Sequence, residues 1–134
     1  MGFLIDTCIW IDVEQGNLTP SDIVAVCGSE PVYLSPVTIA ELKFGAECAA
    51  FPAIRQLRLA ALARIRTKPV LRIDEATGEI FGSLAAQLKL SGKTHRPRIQ
   101  DIWLASQAIQ HGFTLLTRNV RDFNDIPGLQ VTTV

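Results

Sequence analysis

The chain lacks most of the features that tie a sequence to a function at first inspection. It has no net charge, with 13 Lys and Arg against 13 Asp and Glu in 134 residues. Nucleic-acid binders are often basic overall, so any such contact here must come from a local patch. The three cysteines, Cys8, Cys27 and Cys48, are odd in number and show no C-x-x-C spacing. That argues against a disulfide framework or a structural zinc site, and it fits free thiols in a reducing compartment. No apolar run approaches the ~20 residues needed to cross a bilayer. No charged-then-apolar leader opens the sequence, so a cytoplasmic protein without membrane contact is expected. Neither G-x-G-x-x-G nor G-x-x-x-x-G-K-[ST] occurs, which removes the usual phosphate cradle for a nucleotide cofactor. Only two histidines are present, His95 and His111, so a ribonuclease built on paired acid–base histidines is not expected. Internal repeats and low-complexity linkers are also missing.

What remains is a globular composition, 48% hydrophobic and 19% charged, at a length that fits a single domain over residues 1–134. Short apolar runs alternate with helical stretches. Phe3-Leu4-Ile5 ends at Asp6, and Val32-Tyr33-Leu34 precedes Ser35-Pro36. Ser followed by Pro predicts a helix opening, with Ser35 as N-cap and Pro36 at the first helical position. A second helix is expected from about Ala53 to Thr67, where Ile54, Leu57, Ala61, Leu62 and Ile65 recur at helical spacing. Pro69 stops it, and Val70–Ile73 is expected as a strand. A helix over Glu75–Leu90 comes next, then a polar, basic loop at 91–98. Another helix covers 99–110 and ends at His111-Gly112, with Gly112 just past the helix end. Strands are expected at 113–117 and in the C-terminal LQVTTV. Strands separated by helices predict an α/β fold with a mainly parallel sheet covered on both faces. Ligands in such folds sit at the carboxyl ends of the strands.

Asp6 occupies that position after the first strand. An ionised carboxylate is rarely buried unless it is paired or binds a metal. Three further acids fall near strand ends or early in helices: Glu41, Asp101 and Asp122. Singly, each has an ordinary alternative. A Glu in an amphipathic helix is usually solvated, an Asp in a first helical turn favours the helix dipole, and Asp122 sits in a turn. Together, three or four converging carboxylates repel one another without cations. Hard oxygen donors of this kind suit Mg²⁺ or Mn²⁺. Such metals activate water and stabilise a leaving oxygen at phosphorus.

Four segments carry a resemblance: FLIDTCIWID at 3–12, LSPVTIAELKFG at 34–45, IQDIWLASQAI at 99–109 and LLTRNVRDF at 115–123. In this order and spacing the chain resembles a PIN domain, and within that family a VapC-type toxin. The resemblance spans nearly the whole chain. It implies a Rossmann-like three-layer α/β/α sandwich and a Mg²⁺- or Mn²⁺-dependent endoribonuclease. Asp6, Glu41 and Asp101 match the family's three acidic positions and its metal ligands, and Asp122 matches a more variable fourth. Asn119 stands where some relatives carry an acid, so the fourth role falls to Asp122 or Asn119. Thr7, Thr38 and Thr117 match hydroxyl positions that orient carboxylates or water. Two positions depart from the pattern: Cys8 replaces an Asn common after Asp-Thr, and Gln100 replaces an Asn common before the third acid. With no histidine near it in sequence, Cys8 is not expected to act as a nucleophile.

The resemblance also implies an RNA substrate, a small antitoxin partner and a homodimer. Lys93, Arg96, Arg98 and Arg118 are candidates for RNA phosphate contacts that would make binding salt-sensitive. Ile54, Leu57 and Leu62 are candidates for an antitoxin groove, with intramolecular packing as the alternative. Trp10 and Trp103 are expected in the core, and His111 is expected to cap a helix end. Other α/β enzymes fit less well. A haloacid dehalogenase-type phosphatase needs a second Asp where Cys8 stands. A receiver domain needs paired acids ahead of its central Asp. A flap nuclease needs more acids and an arch. The rival from another class is a non-catalytic PIN-fold module that binds protein or RNA, which would be expected to have lost an acid.

Overall fold

The computed structural model describes residues 1–134. Four short strands form one parallel sheet: β1 (Phe3–Ile5), β2 (Val32–Tyr33), β3 (Thr114–Leu116) and β4 (Gln130–Thr132). Their order is β2-β1-β3-β4. Six α-helices connect them: α1 (Thr7–Glu14), α2 (Pro20–Cys27), α3 (Pro36–Glu47), α4 (Pro52–Ile65), α5 (Glu75–Leu90) and α6 (Ile99–His111). Short 3-10 turns at Arg96–Arg98 and Val120–Asp122 complete the chain.

Side chains alternate across the sheet with the period of two that a pleat imposes. Leu4 and Leu115 enter a core with Leu84 and Leu88 of α5 and Ile102, Ala105 and Ala108 of α6. Ile5 and Leu116 enter the opposite core with Ile9 and Trp10 of α1 and Ile23 and Cys27 of α2. Helices therefore cover both faces, as the expected three-layer α/β/α sandwich requires. Gly2 leads into β1 because nothing larger fits: a Cβ there would lie 2.9 Å from the Tyr33 ring and 3.2 Å from the Pro31 carbonyl.

Local signals set the helix starts. Ser35 accepts from the Val37 amide, with Pro36 opening α3 as the sequence predicts. Asp74 and Thr77 cap α5 reciprocally, and Thr19 and Asp22 do the same for α2. Gly112 ends α6 in the left-handed region, at φ 67°. The helix expected over 53–67 spans Pro52–Ile65. The strand expected at Val70–Ile73 does not form; a single bridge pairs Leu34 with Val70. Its backbone is claimed elsewhere: the Gln107 side-chain amide of α6 donates to the Leu71 carbonyl at 2.9 Å, and the chain then turns into the Asp74 cap.

The strand order decides where a ligand can sit. From β1 the chain crosses to β2 on one side, and later to β3 on the other. The crevice between the carboxyl ends of β1 and β3 is therefore the switch point of the sheet, where open α/β sheets bind ligands.

Candidate active site

Asp6 follows β1 and Thr117 follows β3, so both flank that crevice. The Asp6 amide donates to the Leu116 carbonyl at 2.9 Å, extending the β1–β3 pairing to the site's edge. Asp6 is the N-cap of α1, and its Oδ1 accepts from the Thr7 amide at 2.8 Å. Its Oδ2 accepts from the Thr117 hydroxyl at 2.7 Å and from the Cys8 thiol at 3.2 Å. The Thr117 hydroxyl in turn accepts from the Asn119 amide at 3.0 Å. A carboxylate that is 7% exposed is thus held by a backbone N–H, a hydroxyl and a thiol. Burial, and secondarily the Asp6 charge, push the Cys8 thiol up to about 11. A thiol protonated at neutral pH is a weak nucleophile, so Cys8 serves as a hydrogen-bond donor.

Glu41 is reached through α3. Thr38 lies one turn before it and is fully buried. The Thr7 hydroxyl donates to Glu41 Oε1 at 2.9 Å and lies 3.0 Å from the Thr38 hydroxyl. The Thr117 and Thr7 hydroxyls thus touch the Asp6 and Glu41 carboxylates, whereas Thr38 reaches Glu41 only through Thr7. Burial raises the Glu41 carboxyl, the Asp6 charge adds to the rise, and the Thr7 hydrogen bond opposes it.

Asp101, in the first turn of α6, brings the four acids into one field. Burial first, then the charges of Asp6, Asp122 and Glu41, push its carboxyl up to about 6, with Arg98 opposing. Asp122 sits exposed in the 3-10 turn after β3. The sequence places Asn119 and Asp122 as alternatives for the fourth role. Asp122 is the carboxylate that acts on Asp101, whereas Asn119 contributes its backbone amide to Thr117.

The four acids share a field without forming a closed cage. No three His, Cys, Asp or Glu side chains are gathered tightly enough to hold an ion as they stand. That donor set fits Mg²⁺ or Mn²⁺. Mg²⁺ keeps several of its waters and needs only one or two direct carboxylates. Structural zinc requires four converging N or S donors.

The basic candidates divide. Arg98 and Lys93 do not stand free for RNA: both pair with Asp125, at 2.7 and 2.9 Å. Arg118 pairs with Asp12 of α1 at 3.4 Å. These pairs join distant segments: Asp125 comes from the turn after β3 and Asp12 from α1. Arg96 alone of the four is exposed and makes no ion pair. Asp125 is the site-adjacent residue the sequence did not single out, since its only local mark is a turn-rich NDIPG.

The apolar candidates divide as well. Ile54 and Leu57 are exposed, but Leu62 is only 5% exposed and belongs to the interior. The groove that does exist, of about 380 Å³, lies between α1, α3 and α4. Trp10, Val13, Leu42, Leu62 and Ile65 line it, and Glu41 stands on its wall. Ile54 and Leu57 do not line it. Trp10 is buried as expected, Trp103 stacks on Phe81 at 4.2 Å, and His111 ends α6 against Phe113.

No helix is long and apolar enough to cross a membrane, and the three cysteines are free. A model of the PIN domain matches residues 3–129. The chain is 30% identical to Ribonuclease VapC4 of Mycobacterium tuberculosis over 98% of its own length and 95% of that protein's. It is 32% identical to Ribonuclease VapC1 of Rickettsia felis over 100% and 97%. The fold superimposes on the toxin–antitoxin complex VapBC-5 of Mycobacterium tuberculosis with a TM-score of 0.76, at 25% identity over 99% and 98% of the two chains. It also superimposes on VapBC2 of Rickettsia felis, solved bound to a promoter DNA fragment, with a TM-score of 0.84 at 19% identity over 100% and 99%. With its acids gathered at the switch point of this sheet, and with these relatives, the chain belongs to the PIN domain family and stands among its VapC ribonucleases.

Proposed function

We propose that this protein is a Mg²⁺- or Mn²⁺-dependent endoribonuclease toxin, held inactive by a small antitoxin protein. The observation that carries this reading is the convergence of Asp6, Glu41, Asp101 and Asp122 on one field, in which burial first, and then the charges of the other three acids, push Asp101 up to about 6. Such repulsion is costly in an empty scaffold and useful at a cation site. Asp6, Glu41 and Asp101 would hold the ion. Bound there, a divalent cation supplies an activated water and neutralises charge developing at phosphorus.

The protein's own residues do the remaining work. Thr117 and the Thr7 amide fix both oxygens of Asp6, which leaves its orientation set before any ligand arrives. The Thr7 hydroxyl, itself beside that of buried Thr38, holds Glu41. Asp122, at the exposed rim, completes the acidic set on the side open to substrate. Of the four basic candidates, Arg96 is the one free to meet an RNA phosphate. The groove between α1, α3 and α4 suits an apolar antitoxin segment, and a basic side chain at its end would meet Glu41. Ala61→Arg on the groove wall is expected to weaken antitoxin capture, measured by calorimetry. A homodimer in solution, as the family resemblance implies, is checked by light scattering.

The deciding experiment is cleavage of total RNA by protein freed of any co-purifying partner. Wild type is compared with Asp6→Asn, in Mg²⁺ or Mn²⁺ and in EDTA. Discrete fragments that need the metal and vanish in Asp6→Asn support the nuclease. Identical behaviour of the two proteins supports the non-catalytic binding module instead.

A further inference from the structure

The loop at 91–98 looks like a basic surface for RNA in the sequence, but the structure gives its cations another task. Arg98 sits three residues before Asp101, and Asp125 sits three residues after Asp122. The two meet in a forked pair: Arg98 Nη1 donates to Asp125 Oδ2 at 2.9 Å and Nη2 to Oδ1 at 2.7 Å. Arg98 Nη2 also donates to the backbone carbonyl of Asp122 itself at 2.8 Å. Lys93 adds a third donor to Asp125, at 2.9 Å. A planar guanidinium matches a carboxylate with both forks and so fixes geometry as well as charge.

This pair differs from the others on the surface. Its side chains are 20% and 22% exposed, against 46% and 42% for Arg55–Glu47. Exposed pairs contribute little; a shielded fork constrains what it joins. What it joins here are the two segments that carry the third and fourth acids. The Asp122 turn is held otherwise by its own 3-10 hydrogen bonds and by the buried Phe123 ring beside it. The Arg98 charge also faces Asp101 and Asp122, so the clamp screens two of the acids from each other.

We propose that Arg98 and Asp125 are positioning residues, a clamp that fixes the Asp122 turn against the start of α6 and so sets the separation of the third and fourth acids. The proposal deepens the nuclease reading and rests on it. It assigns Arg98 to the protein's own acids and leaves phosphate contact to Arg96.

Two measurements that need no RNA test it: hydrogen exchange of the segment 118–126, and Mn²⁺ affinity by calorimetry. The proteins are wild type, Asp125→Asn and Arg98→Lys. Circular dichroism confirms that each variant folds. Arg98→Lys keeps the charge but loses the fork. Both variants are expected to exchange faster in 118–126 alone, and to bind Mn²⁺ about 10-fold more weakly, as loss of a supporting partner typically does. Unchanged exchange in Asp125→Asn would refute the clamp. Faster exchange with unchanged Mn²⁺ affinity would reduce the pair to a structural tie and overturn the positioning role. Wild-type behaviour in Arg98→Lys would show that charge alone matters, against the proposal. Failure of the nuclease reading looks different: wild type itself would bind no Mn²⁺, while exchange in the variants still reports on the clamp.

Discussion

Replacing Asp101 with Asn should make the protein more stable while abolishing its activity. Asp101 is half-buried among three other carboxylates, and its carboxyl moves from 3.8 to about 6. Each unit is worth about 1.4 kcal/mol between the protonation states. With the ion absent, the folded protein therefore pays up to about 3 kcal/mol to keep Asp101 charged at pH 8. A folded pKa raised above the unfolded one makes this a destabilisation. It is full above about pH 6 and fades as the pH falls towards 3.8. Asn has nearly the same shape and no charge. In EDTA at pH 8, Asp101→Asn should gain about 1–3 kcal/mol, a rise of roughly 4–12 °C in melting temperature for a chain of this size. At pH 4 the gain should fall below about 1 kcal/mol. Mg²⁺ or Mn²⁺ should stabilise wild type and leave the variant nearly unmoved, because bound ligand adds stability only where it binds. Thermal melts of both proteins at pH 4, 6 and 8, with and without metal, measure all of this. A variant less stable than wild type at pH 8 in EDTA, or a gain independent of pH, would refute the electrostatic reasoning.

Thr117→Val removes the 2.7 Å donor from buried Asp6 with almost no change in volume; urea melts should show a loss of about 1–2 kcal/mol, and calorimetry a Mn²⁺ affinity about 10-fold weaker. Leu62→Ala hollows the floor of the groove beneath α4 and should cost about 2–4 kcal/mol by the same melts. Asp74→Ala deletes a capping box that also ties Gln110 of α6 to α5, and is expected to cost about 1–2 kcal/mol without changing metal binding. Arg96→Gln should lower RNA affinity and flatten its salt dependence by about one unit of slope, read from binding isotherms at several salt concentrations.

Much of this molecule is determined by sequence alone, because the causes are local. Ser35-Pro36 starts α3, His111-Gly112 ends α6, and an apolar triplet running into Asp6 marks a strand end with a buried carboxylate. The acids themselves are legible because carboxylates beside strand ends and in the first turns of helices interrupt the apolar pattern around them. The helices α1 and α2, eight residues each, span only about two turns, too few for apolar spacing to repeat. The expected strand at 70–73 stops at one bridge because Gln107, 36 residues away, takes the Leu71 carbonyl. Tertiary structure alone decided which charges are free. Lys93, Arg98 and Arg118 look alike in sequence, yet each meets an acid that folding delivers from a distant segment. The same holds for the α4 stripe, where packing against α1 and α3 buries Leu62 and leaves Leu57 exposed. Composition and spacing determine what each residue can do. Long-range packing determines its partners, because electrostatic and apolar contacts depend on distance in space and not on distance along the chain.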